Sequence, residues 1–481
     1  MSYTYRRAAT YCRGWASWDA PLAAGEKQLR RELIFDHALL PSGWAHDVRV
    51  SVVDGALTAI TPSVAREAAE HIPGVAIPGV PNLHCHAFQR GMAGLAERRG
   101  PRADSFWTWR EVMYRFLDRL SPSDVETIAA FAYMEMLEAG FTTVGEFHYL
   151  HHDVDGRPYA DIGEMAGRIV RASSDTGIGL TLLPSFYAYG GFGGAPATSG
   201  QRRFLNDPGR FLKLVERSRA ITQHLPAAQI GIAPHSLRAV TPDTLRAVCT
   251  ATPAGPIHIH ASEQMKEVEE SVAALGARPV EWLIDNIGLD ARWCVIHATH
   301  TTEQEIGALA ASGAVAGLCP LTEASLGDGI FNGTDYLAAR GRFGIGTDSN
   351  IQIDAAAELR QLEYVQRLAR RARNVMTVEG GESTGRRLLD SVLAAGAQAL
   401  QRPIGALAVG ARADIVVLDR NHVDLASRRD DEWLDAWIFV AGRAAVSRVI
   451  VGGQTVVEAG RHWRRGQIEA RYRRVVAALA G

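Results

Sequence analysis

"GVAIPGVPNLHCH", residues 74–86, is an apolar, proline-punctuated run that ends in two histidines two positions apart. A strand turns successive side chains to opposite faces, so His84 and His86 share one face and Cys85 takes the other. A strand apolar on both faces belongs to a parallel sheet covered by helices, and such sheets require the pattern to recur. It does recur. Seven further runs follow: "GFTTVGEFHYL" (140–150), "IGLTLLPSFYAYG" (178–190), "QIGIAPHSL" (229–237), "GPIHIHASE" (255–263), "RWCVIHATH" (292–300), "AVAGLCPLTEASLG" (314–327) and "RFGIGTDSN" (342–350). Amphipathic stretches such as "SDVETIAAFAYMEMLEAG" (123–140) and "EQEIGALAASG" (303–313) separate most of them. Eight β/α repeats predict an α/β fold, a (β/α)8 TIM-type barrel over residues 78–399.

On either side the rhythm changes. "RELIFDHALL" (31–40) and "DVRVSVVDGALTAI" (47–60) are short β segments punctuated by "PSG" and "DG", and β alternation returns in "PIGALAVGARADIVVLD" (403–419) and "VSRVIVGGQTVVEAGRHW" (446–463). Residues 31–77 and 400–481 are expected to pair into one composite β-sandwich flanking the barrel. Residues 1–30 lack periodicity and read as an N-terminal extension. The Gly-rich "YAYGGFGGAPATSGQRR" (187–203) reads equally as an active-site lid or a plain surface loop.

The chain has 481 residues, 47% hydrophobic and 22% charged, with 51 basic against 53 acidic side chains. That balance argues against a nucleic-acid partner and favours a small-molecule ligand. Five scattered cysteines without CxxC spacing argue against a disulfide framework, and no run of 18 apolar residues suggests a membrane span; a cytoplasmic protein is expected. Dimers are common among such barrels, but no stretch of the sequence marks a homodimer interface.

Barrel enzymes place their chemistry at the C-terminal ends of the strands. There the sequence puts His84 and His86 (strand 1), His235 (strand 4), His260 (strand 5), His297 (strand 6) and Asp348 (strand 8). A lone buried histidine is usually structural, and His258, deeper on strand 5, is read so, as are His300, His148, His151 and His152. Convergence changes the reading. Neutral imidazole is the usual nitrogen ligand of Zn²⁺, and two histidines from strand 1, one from strand 5 and a carboxylate from strand 8 make a catalytic set.

"PGVPNLHCH", "HIHASE", "HATH", "GIGTDSN" and the flanking "ADIVVLD" resemble the amidohydrolase superfamily, in its deaminase and chlorohydrolase-like branch. The resemblance implies one divalent metal ion per chain, expected to be Zn²⁺, on His84, His86, His260 and Asp348, with Glu263 as proton shuttle and His297 assisting at the attacking water. Strand 4 carries no lysine to bridge a second metal, so a mononuclear site is expected. In such a site Asp348 can take a proton from water while Glu263 delivers one to the leaving nitrogen.

Arg110 in "SFWTWREVMYRF" and Arg238 in "APHSLRAV" suit a substrate with carboxylates, which a guanidinium grips through two parallel hydrogen bonds; each read alone is equally a surface ion pair. Those stretches, with "NLHCHAFQRGMAGL" and "GFTTVGEFHYLHH", resemble the formimidoylglutamate deiminases of histidine degradation. That resemblance implies that Gln89, Arg110, Tyr149, His235 and Arg238 hold the glutamate part. It also implies that N-formimino-L-glutamate is hydrolysed to N-formyl-L-glutamate and ammonia. Deamination of guanine, of another heterocycle or of N-formimino-L-aspartate remains open, and an inactive barrel scaffold is a more distant alternative.

Overall fold

The structure, a computed structural model, describes residues 30–65, 69–101, 103–377 and 380–480; most of the expected N-terminal extension lies outside the described residues. Eight parallel strand positions form the barrel: Val80–Cys85, Phe141–His148, Gly179–Phe186, the short pair Gln229–Ile230 and Ala233–Pro234, Ile257–Ala261, Trp293–His297, Val315–Leu318 and Arg342–Ile345. Two parallel ladders are joined at both seams, by Cys85 against Asp348 and by Ile232 against Ile257 with Ser236 against His260. The second strand is buried throughout its length, as its apolar sequence requires of a strand with helices outside and a filled barrel inside.

Local sequence explains why helices follow strands. Ser121 accepts the Asp124 N–H, Asp124 accepts the Ser121 N–H in return, and Pro122 opens the helix Pro122–Glu138. Thr302 and Glu305 form the same reciprocal cap on Glu303–Ser312, and Gly313 (φ 79°) ends that helix in the left-handed region.

The run of residues 74–86 is divided at Gly79. Glu70–Pro78 belongs to the flanking sheet and Val80–Cys85 to the barrel, and a Cβ on Gly79 would stand 2.2 Å from Thr142 Oγ1. The flanking sheet joins both ends of the chain. Its eight strands are ordered Arg461–His462, Gln454–Glu458, Val446–Val451, Ile415–Leu418, Glu70–Pro78, Arg30–Leu40, Gly43–Val53 and Ala56–Thr61. The antiparallel pairing of Ile415 with Pro78 is where the two ends meet. The sheet has its own core of Leu33, Phe35, Val48, Val50, Ile415, Val417 and Ile450.

The last segment departs from the β reading of residues 400–481. Arg465–Ala480 is a helix that lies on the barrel helix Pro122–Glu138: Tyr472 stacks on Phe131 at 3.9 Å and 9°, and Arg465 pairs with Glu138. Residues 465–480 lack the alternation of the preceding hairpins, and that aromatic stack gives the helix a buried anchor.

The seam between the first and eighth strands sets the geometry of the site. Asn82 Nδ2 donates to Thr347 Oγ1 (2.8 Å), Thr347 Oγ1 donates to Asn350 Oδ1 (2.6 Å), and Asn350 Nδ2 donates to the His86 and Asp348 carbonyls (3.1 and 3.0 Å). Gly346 lets the backbones meet, since a Cβ there would stand 2.7 Å from the His84 carbonyl oxygen and 2.9 Å from its nitrogen. Gly346→Ala is expected to cost about 2–3 kcal/mol by overpacking this seam. Denaturant unfolding checks it, and an unchanged midpoint would show that the seam can open without penalty.

Candidate active site

His84, His86 and His260 converge at the C-terminal mouth of the barrel, with their candidate ligand atoms all within 4.8 Å of one another. His86 Nδ1 lies 2.8 Å from the Phe147 carbonyl and His260 Nδ1 lies 2.9 Å from the His235 carbonyl. A carbonyl only accepts, so both Nδ1 atoms carry the proton and both Nε2 atoms present bare lone pairs. The His86 lone pair faces another acceptor, Asp348 Oδ1. His86 Nε2 and His84 Nε2 each lie 3.3 Å from Asp348 Oδ1, and His260 Nε2 lies 3.2 Å from His84 Nε2.

Burial keeps the three rings neutral. It pushes His84 down to about 3 and lowers His86 and His260 as well. Burial alone would raise Asp348, but His84, His86 and His297 hold it well below the ordinary carboxylate range. A buried carboxylate and a bare imidazole nitrogen 3.3 Å apart repel unless a cation lies between them. Three imidazole nitrogens and one carboxylate oxygen also match a catalytic zinc set, so the residues fit the metal implied by the sequence.

His297 and Asp348 adopt left-handed backbone conformations (φ 69° and 40°), which non-glycine residues hold only where the surroundings enforce them. His297 Nε2 lies 3.7 Å from Glu263 Oε1 and 3.8 Å from Asp348 Oδ2, while its Nδ1 lies 3.2 Å from Glu323 Oε1. Burial opposes charge on this ring, but Glu263, Glu323 and Asp348 outweigh it and push His297 up to about 10. Burial also raises Glu263, against the opposing pull of His297 and Arg238. A carboxyl raised toward neutrality suits proton delivery.

One pocket joins these groups to the substrate-binding candidates. Its wall includes Gln89, Arg110, Tyr149, His235 and Arg238, together with His86, His260, Glu263 and Asp348. Gln89 Nε2 donates to Tyr149 Oη at 2.8 Å, and the Tyr149 ring stands edge-on to His86 at 4.8 Å. Arg238 Nη2 lies 3.4 Å from Glu263 Oε2. Arg110 has no ion-pair partner among the described residues. Every residue read from the sequence as ligand, shuttle or substrate contact therefore lies at one end of the barrel.

The amidohydrolase family model matches residues 75–456, and residues 33–72 match the N-terminal domain of formimidoylglutamate deiminase HutF. The chain belongs to the amidohydrolase family. Among curated amidohydrolase relatives, the formimidoylglutamate deiminase of Pseudomonas aeruginosa is 53% identical over 431 residues, 89% of this chain and 94% of its own length. A 5-methylthioadenosine/S-adenosylhomocysteine deaminase of Natronomonas pharaonis is 27% identical over 79% of this chain and 81% of its own. Among solved structures, an amidohydrolase from Brucella melitensis is 51% identical with a TM-score of 0.90, covering 94% of this chain and all of that one. The zinc complex of atrazine chlorohydrolase from Arthrobacter aurescens, 21% identical, shares the fold at a TM-score of 0.78 over 92% of this chain and all of that one.

Within this amidohydrolase barrel, the histidines read as structural lie away from the converging group. His258 Nε2 meets the Ala399 carbonyl, His151 Nε2 that of Ser185, His152 Nε2 that of Leu205 and His300 Nε2 that of Asp328. His148 is buried beside the His151 ring. Three groups escaped the sequence reading. Glu323 holds His297; Cys319 stands with His297 and Asp348, its thiol pushed up by burial; Asp328, pushed up to about 9 by burial and then by Glu263, pairs with Gln264. Each is a single polar residue in a stretch without a repeating motif, so only the fold reveals it. The Gly-rich segment is folded, with the Gly190 N–H on the Ala195 carbonyl (2.8 Å) and the Ala188 and Tyr189 N–H groups on the Ala239 carbonyl (2.9 and 3.0 Å).

Proposed function

We propose that this pocket hydrolyses N-formimino-L-glutamate to N-formyl-L-glutamate and ammonia. The observation that carries the reading is one cavity wall holding both a metal-type donor set and two guanidinium groups, one of them without a carboxylate partner among the described residues. An amidine next to a glutamate skeleton needs both ends of that wall. The 53% identity to a formimidoylglutamate deiminase supports the same substrate.

His84, His86, His260 and Asp348 are the residues that would hold one divalent ion, with zinc the expected metal. When bound, such an ion supplies a Lewis acid that lowers the pKa of water to about 7. Asp348, whose Oδ1 lies 3.3 Å from both His84 Nε2 and His86 Nε2, takes a proton from the attacking water. Glu263, 3.7 Å from His297, carries a proton to the imino nitrogen, so that ammonia rather than amide ion departs as the C–N bond breaks and C=O forms. His297 donates a hydrogen bond to the developing negative charge, and Glu323 orients it through Nδ1. Arg110 and Arg238, with Gln89, Tyr149 and His235, grip the carboxylates and place the formimino carbon over the ligand cluster. No interface is proposed for the homodimer read as common among such barrels.

Arg110→Ala and Arg238→Ala test the substrate. Removing a charge-assisted grip of about 2–3 kcal/mol is expected to raise KM by roughly 30- to 140-fold. The smaller change in kcat is expected for Arg110→Ala, because Arg238 also touches Glu263. Unchanged KM in both variants would remove the carboxylates from the recognised substrate.

A further inference from the structure

Trp107 lies on the helix Phe106–Leu117, three residues before Arg110. Three cations from three different elements surround its indole ring. The Arg110 guanidinium carbon is 4.7 Å from the ring centroid, that of Arg238, from the loop after the fourth barrel strand, is 5.7 Å away, and Lys266 Nζ, from the helix Met265–Leu275, is 4.5 Å away. Their other partners differ. Arg238 faces Glu263 at 3.4 Å and Glu267 at 4.0 Å, Lys266 faces Glu270 at 3.8 Å, and Arg110 also lies 5.6 Å from the Tyr114 ring centroid.

Three cations close to one ring repel one another, and before a dianionic substrate arrives no carboxylate among the described residues pairs with Arg110. The negative face of an indole is a partner that attracts each cation yet carries no charge to compete with an incoming carboxylate. A carboxylate in the same position would capture the guanidinium groups and block the substrate. An aliphatic side chain would leave Arg110 free to swing out to solvent, and Arg238 would be drawn onto Glu263 and Glu267 alone.

We propose that Trp107 is the positioning residue of the carboxylate clamp: it holds Arg110 and Arg238 in place across the mouth, with Lys266 as a third cation on the same ring. The inference rests on the dicarboxylate reading of the pocket. Trp107 acts through the arginines and touches no reacting atom.

Steady-state kinetics with N-formimino-L-glutamate and calorimetric binding of glutarate test it on the full-length wild type, Trp107→Leu and Trp107→Phe. Losing a cation–π contact to each arginine predicts a rise of about tenfold in both KM and glutarate Kd for Trp107→Leu, with kcat within about threefold. Trp107→Phe, which keeps a weaker π face, is expected to fall between wild type and Trp107→Leu, and it carries the test alone should the leucine variant fail to fold. Wild-type constants in the variants would overturn the inference, as would a fall in kcat with unchanged glutarate binding. A wild-type protein that neither releases ammonia from the substrate nor binds glutarate would remove the dicarboxylate reading itself. Turnover by wild type with unchanged variant constants would remove Trp107 alone.

Discussion

Glu263→Gln is expected to keep the fold and the metal content of the wild type while kcat falls by about 10²- to 10⁴-fold, the usual contribution of a positioned general acid–base. The amide preserves the size of the side chain, and its oxygen can still accept from Arg238, which now lies 3.4 Å from Glu263 Oε2. What it cannot do is move a proton. Burial raises the Glu263 carboxyl and so favours its holding a proton, whereas an amide has no such equilibrium in water. Stopped assays of ammonia release, with metal analysis of the same preparation, check the expectation; a variant with near-wild-type kcat would assign the proton transfer elsewhere, and Asp328 would be the first group to test next.

His84→Ala is expected to lose both metal and activity. His84 is fully buried, and its Nε2 is the atom common to two of the close approaches, to Asp348 Oδ1 and to His260 Nε2. Deleting it leaves two imidazoles and one carboxylate, one ligand short of the set, and losses of affinity of 10- to 100-fold already follow from removing mere outer-shell partners. Metal content after dialysis should fall from about one ion per chain to a small fraction of that, as expected for an incomplete ligand set. Stoichiometric metal in the folded variant would exclude His84 as a ligand. Circular dichroism separates loss of metal from loss of structure.

The strand parity of "LHCH" and the position of each motif at a strand end made most of the site legible in the sequence. Side chains alternate along strands and barrel sites collect at C-terminal ends, so His84, His86, His260, His297 and Asp348 could be placed before any contact was known. Contacts that depend on how loops and helices fold were not legible. Glu323 reaches His297 because Pro320 starts a short helix immediately after Val315–Leu318, inside what the sequence presents as one continuous strand-like run. Trp107 gathers residues 110, 238 and 266 only after three elements meet at the mouth. The fold shows the same division. Eight β/α repeats and a boundary near residue 78 were visible, whereas the terminal helix Arg465–Ala480 owes its place to Phe131 on a helix more than 300 residues earlier.

Ammonia release from N-formimino-L-glutamate, N-formimino-L-aspartate and guanine by the zinc-loaded protein, measured under identical conditions, tests the proposed substrate most directly. The proposed dicarboxylate clamp over the metal-type cluster predicts fast release from the glutamate compound and little from the other two. Release from guanine alone would keep the ligand cluster and contradict the substrate, and silence with all three would contradict both.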